Sequence, residues 1–159
     1  MSDIRIRPAA PEDAPAISDF LRELAARGKR KSPSDVDFVR IHYIGHPDRI
    51  ACSVAVDAQG HILGMQSLKH ARDGNIYGVT PGWGIIGTHV SPDAARRGVG
   101  RALFAASRDA ARRAGVRSID ATIQPENAEG LAYYEAMGFR DYRVSGGAIC
   151  KCYELPVDM

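Results

Sequence analysis

The chain has 159 residues, 45% hydrophobic and 25% charged, which places it among folded globular domains and excludes disordered and fibrous classes. Its 21 Lys and Arg nearly balance 19 Asp and Glu, so the net charge of +2 is too small for binding polyanions through bulk charge, and any anion site must be local. Three cysteines, Cys52, Cys150 and Cys152, form no pairing framework and no metal-ligand set, and the sequence shows neither a signal peptide nor an apolar stretch of the ~18 residues a membrane span needs, so a cytoplasmic protein without a metal is expected.

Residues 4–8, "IRIRP", alternate apolar and basic and predict a short strand ended by Pro8. Ile17, Leu21 and Leu24 recur at helical spacing before Gly28 and predict a first helix. A basic loop, "GKRKSPSD", leads to a second amphipathic run with Val36, Val39, Ile41 and Tyr43, capped by Ser34 or Asp35. Residues 49–56 and 61–68 flank the turn "DAQG" and read as an antiparallel hairpin. The polar, glycine-rich segment that follows is a loop with room for a short strand around Ile76 and Tyr77. "WGIIGTHV" predicts a strand, and the run from Val99 a helix with Val99, Leu103, Ala106, Ala110 and Ala114 on one stripe, ended by Gly115. "VRSIDATI" follows as a strand, making a parallel crossover unit. Asn127 caps "AEGLAYYEAM", which Gly138 closes in a left-handed cap with Phe139 as its apolar contact. Two more strands around the turn "SGG" complete one mixed α/β domain over residues 1–159, without repeat or linker.

Residues 95–100, "ARRGVG", sit where the chain leaves a strand and enters a helix, so backbone N–H groups there lack helical partners. Gly98 and Gly100 permit a tight turn and close approach of a ligand, while the helix N-terminus favours an anion. A dinucleotide fingerprint would require a third glycine at position 103, which is leucine, and no Walker triplet exists. Nucleic acid needs a longer basic face interleaved with aromatic residues, and the arginines at 108, 112, 113 and 117 have none. The competing explanation is an ordinary glycine-eased loop with solvated arginines.

The segment "NAEGLAYYEAMGF" separates Asn127, Gly130 and Tyr134 by three and then four positions, which stacks them on one helical face beside a potential ligand groove. Core packing by Tyr134 is the alternative. Together the two segments resemble the GNAT superfamily of acyl-CoA-dependent N-acyltransferases, over nearly the whole chain from "IRPAAPEDA" to the last strand. The first matches its R/Q-x-x-G-x-G/A pyrophosphate loop in the glycines, and the second its N-x-x-A/G-x-x-x-Y before G-F. The departure is Ala95, which stands where the family usually has Arg or Gln.

The resemblance implies a mixed sheet of six to seven strands with about four helices and a splay between the fourth and fifth strands. It implies acetyl-CoA as co-substrate, held by Ala95, Arg96, Arg97, Gly98, Val99, Gly100 and Arg101, by His89 and Val90 on the splayed strand, and by Asn127, Gly130 and Tyr134. Acyl transfer needs a neutral nucleophile, a stabilised oxyanion and a proton for the leaving thiolate. Tyr134 is the candidate acid and His89 the candidate base; Tyr133, about a hundred degrees away on the helix, is expected to pack. Lys29, Arg30, Tyr77 and Trp83 are candidates for acceptor binding. The expected reaction is acetylation of a primary amine on a small molecule, with acetylation of a protein or peptide, or a non-catalytic coenzyme A sensor, as alternatives. Neither nucleic acid nor membrane is an expected partner, and the family often forms homodimers.

Overall fold

The computed structural model describes residues 3–94 and 97–156. A seven-stranded sheet runs in the order β1-β2-β3-β4-β5-β7-β6, built from β1 (Arg5–Pro8), β2 (Arg49–Val56), β3 (Ile62–His70), β4 (Gly84–Val90), β5 (Ser118–Ile123), β6 (Arg140–Ser145) and β7 (Ala148–Glu154). Every neighbouring pair is antiparallel except β4 and β5. Four helices accompany it: α1 (Ala14–Ala26), α2 (Val36–Val39), α3 (Val99–Arg113) and α4 (Ala128–Met137). The mixed α/β architecture expected from the sequence is therefore the observed one.

Period-two alternation sends neighbouring strand residues to opposite faces and divides the core in two. Val54 and Met65 join Ile17, Leu21 and Leu24 of α1 on one face, while Leu68, Ile86, Ile119 and Ile123 join Phe104 of α3 and Tyr134 of α4 on the other. The parallel pair is short. Gly84 pairs with Ile119 and Ile85 with Asp120, and beyond Ile85 β4 and β5 diverge, although β4 stays paired to β3 as far as Val90. That divergence is the splay between the fourth and fifth strands.

Local chemistry explains the helix ends. The Asp35 side chain accepts from the Phe38 N–H and starts α2, which widens into a π-helical turn over Arg40–Ile44. Asn127 caps α4 by accepting from the Gly130 N–H at 3.0 Å, and Gly138, at φ 108°, ends it.

Two expectations are corrected. No strand forms around Ile76 and Tyr77, because the Asn75 side chain replaces sheet pairing: it accepts from the N–H groups of Tyr77 and Val79 and donates to the carbonyls of Arg72 and Val79. On α3 the buried stripe is Val99, Leu103, Phe104, Ser107 and Ala111, while Ala106 and Ala110 are half-buried and Ala114 exposed. The larger Phe104 ring turns the helix toward its own side, where it packs at 5.4 Å from Phe139 and 5.1 Å from Tyr153.

Candidate active site

The splay opens a groove of about 930 Å³ that is lined from both faces of the sheet. Adjacent residues on β4 point oppositely, so Thr88 meets the α4 side and His89 the α1 side, yet both border the same groove. The β4 backbone beyond Ile85 has no partner on its β5 side among the described residues, which leaves peptide groups there for an extended ligand.

At one end lies the N-terminus of α3. Gly98 occupies the N-cap position at φ 79°, a left-handed conformation that costs any residue with a Cβ, and no side chain among the described residues caps the first turn. The amides of Val99, Gly100 and Arg101 therefore remain available for an anion, and these residues line the groove. Gly100 has a different reason to be glycine: a Cβ there would sit 2.6 Å from Cε1 of Tyr133. Arg97 is exposed and does not line the groove, and Ala95 and Arg96 lie outside the described residues.

Asn127, Gly130 and Tyr134 border the groove together, as their spacing predicted. Asn127 folds back over Gly130, where an added Cβ would meet its Nδ2 at 2.6 Å. The Tyr134 ring is 6% exposed and packs edge-on to Phe139 and Tyr133, with its hydroxyl oxygen 2.7 Å from Thr88 Oγ1. Burial raises its pKa, against the opposing hydrogen bond from Thr88, so the phenol is protonated at neutral pH and able to donate.

Tyr133 packs, as expected, but it also borders the groove. Its O–H donates to the Gly100 carbonyl at 2.7 Å, and its oxygen accepts from Gln66 Nε2 at 3.0 Å. Burial pushes this phenol up to about 12. Gln66 and Thr88 were not anticipated as site residues. Their one legible signal was a glutamine in the middle of the apolar run "ILGMQSL".

His89 lies edge-on to Tyr43 and 3.5 Å from Arg30. Desolvation, with repulsion from the Arg30 guanidinium, depresses its pKa to about 4. The imidazole is thus neutral at neutral pH and only a weak proton acceptor.

Two cations after α1 pair with acidic side chains, and one of them, Lys29, also lines the groove. Arg27 pairs with Asp93 at 3.1 Å and Lys29 with Glu129 at 2.6 Å, which ties the loop to both lips of the groove. Arg30 is 8% exposed; it donates to Ser34 Oγ and the Pro33 carbonyl and stacks over Phe38 and Tyr43. Tyr77 and Trp83 stand away from the groove lining. Trp83 packs 5.3 Å from Tyr142, and the Tyr77 carbonyl accepts from Arg143.

The model of the acetyltransferase (GNAT) family matches residues 17–139, the span that holds both glycine-bearing segments and the splay. The chain belongs to the GNAT acetyltransferase family. A GCN5-related N-acetyltransferase from Kribbella flavida is 25% identical, with a TM-score of 0.79 over 96% of this chain and 98% of that one. A GNAT phosphinothricin acetyltransferase from Sinorhizobium meliloti, solved with acetyl-CoA, shares the fold at 20% identity, with a TM-score of 0.73 over 96% of this chain and 89% of that one. Among curated proteins, mycothiol acetyltransferase of Clavibacter michiganensis subsp. michiganensis is 35% identical over 92 residues, which is 57% of this chain and 27% of the relative. This GNAT chain thus spans under a third of the curated relatives it matches.

Proposed function

We propose that this chain transfers an acetyl group from acetyl-CoA to a primary amine of a small molecule, an amino acid or close analogue. The observation that carries the reading is the groove through the sheet, with an uncapped helix N-terminus at one end and a protonated, buried Tyr134 at its side. Acetyl-CoA fits this donor set, and when bound it supplies an activated thioester. The amides of Val99, Gly100 and Arg101, with the Arg101 charge, hold the pyrophosphate, and open space where Gly98 lacks a Cβ allows its approach. Unpaired peptide groups of β4 near His89 and Val90 align the extended arm, and the Asn127 Nδ2 hydrogens remain available to it after Oδ1 has capped α4.

Tyr134 Oη supplies the proton for the departing sulfur. His89 shapes the acceptor side together with Tyr43, and the amine's proton leaves through water, because an imidazole held near pKa 4 by desolvation, with repulsion from Arg30, is a poor base at neutral pH. The α1–α2 loop, joined to α4 by the solvent-exposed Lys29–Glu129 pair, borders the groove, and a small acceptor is the reading proposed for it.

Release of free thiol from acetyl-CoA, followed against amino acids, polyamines, aminoglycosides and peptides, tests the reading. Turnover confined to small amines is expected. A preference for peptides would move the acceptor class, and tight acetyl-CoA binding with no turnover on any amine would make the chain a sensor.

A further inference from the structure

Tyr134 does not stand alone. Its hydroxyl ends a chain of contacts that joins four elements: Gly100 of α3 to Tyr133 of α4, then Gln66 of β3, then Thr88 of β4, then Tyr134. The direction of the first three bonds in this chain follows from its first member. The Gly100 carbonyl can only accept, so Tyr133, 2.7 Å away, spends its single proton there. The Tyr133 oxygen must then accept from Gln66, which fixes the amide nitrogen rather than the carbonyl toward it, at 3.0 Å. The second hydrogen of that nitrogen goes to Thr88 Oγ1, also at 3.0 Å.

Thr88 already accepts from Gln66, and its own proton has two phenol oxygens in reach, Tyr134 Oη at 2.7 Å and that of Tyr133, which already accepts from Gln66. If Tyr134 donated to Thr88 instead, the threonine proton would give up this 2.7 Å contact and turn toward the groove that Thr88 lines. Gln66 is fully buried, and its Oε1 is left without a partner. An unpaired buried carbonyl is a standing penalty. Turning the amide over would set Oε1 against the Tyr133 oxygen, whose proton is committed to Gly100, so the chain keeps the nitrogen inward.

Resting on the reading of Tyr134 as the proton donor, we propose that Thr88 and Gln66 are positioning residues: the one-way chain from the Gly100 carbonyl makes the Tyr134 oxygen an acceptor from the protein and leaves its O–H to point into the groove. The chain starts on the first turn of α3, so the segment that holds the pyrophosphate and the proton that meets the sulfur share one hydrogen-bonded frame. Thr88 also stabilises negative charge left on Tyr134 once the proton has gone.

The test uses free CoA bound to the protein, with the pKa of its thiol read from thiolate absorbance during a pH titration, so no acceptor is needed. A Tyr134 O–H aimed at the sulfur favours the bound thiolate. Thr88→Val, nearly isosteric, is expected to lower the ionisation constant of the bound thiol about threefold to tenfold with CoA affinity retained, and Thr88→Ser to restore it. Tyr134→Phe should lower it at least as much, and Thr88→Val added to Tyr134→Phe should do nothing further. An unchanged thiol in Thr88→Val while Tyr134→Phe shifts it, or full additivity of the two substitutions, overturns the positioning role. An unchanged thiol in Tyr134→Phe overturns the proton-donor reading itself.

Discussion

Replacing Gly100 by alanine separates two opposing effects in the first turn of α3. As an ordinary helical position it should gain up to about 1 kcal/mol, since alanine is the better helix former. The new Cβ, however, would fall 2.6 Å from Cε1 and 3.3 Å from Cδ1 and Cζ of Tyr133, a ring held at its far end by the Gly100 carbonyl and Gln66. Overpacking of this kind costs about 1–3 kcal/mol, and moving the ring sacrifices two hydrogen bonds worth about 0.5–1.5 kcal/mol each. The balance is a loss of about 3 kcal/mol, or about 6–12 °C in Tm for a chain of this size. Urea unfolding of Gly100→Ala should show it as a lower midpoint at constant slope. With Tyr133→Leu as background the clash is gone, and the same substitution should become neutral or stabilising. Gly100→Ala as stable as the parent, or equally damaging in both backgrounds, would refute the reasoning.

Gly98→Asp sets a side chain in the left-handed region and a negative charge at the helix N-terminus facing the groove, so acetyl-CoA affinity by calorimetry should fall at least about tenfold; unchanged affinity would remove the α3 N-terminus as the phosphate site. His89 predicts an acid-sensitive fold: its pKa is about 4 when folded against 6.5 for the free side chain, so the unfolded chain binds more protons between those values, and the stability His89 confers is intact above pH 6.5 and lost on acidification through that window. Unfolding at pH 7 and pH 4.5 should differ by about 2–3 kcal/mol more in the parent than in His89→Gln, and equal differences would contradict the depressed pKa.

The local parts of the site were legible in the sequence because their geometry is local. Asn127, Gly130 and Tyr134 share a helical face by spacing alone, and Gly98 follows from a strand that must turn into a helix. The remaining parts depend on distant partners. Thr88 meets Tyr134 from 46 positions away and Gln66 meets Tyr133 from 67, so no window of sequence joins them. Arg30 stood as a candidate for acceptor binding because nothing in "ARGKRKSPSD" shows that Phe38 and Tyr43 will close on its guanidinium. Alanines on several sides of α3 blur its amphipathic direction, and Phe104 decides it only through contacts with Phe139 and Tyr153. Trp83 and Tyr77 looked like pocket walls by residue type, but their position at and before the paired end of β4 sets them away from the splay.

The proposed chemistry turns on the Tyr134 proton reaching the leaving sulfur of acetyl-CoA. Steady-state thiol release by Tyr134→Phe, with the best small amine from the panel and acetyl-CoA affinity measured in parallel, tests it most directly. The expected result is kcat reduced about 10²-fold or more with acetyl-CoA affinity nearly unchanged. Unchanged kcat, or a loss confined to acetyl-CoA affinity, would contradict it.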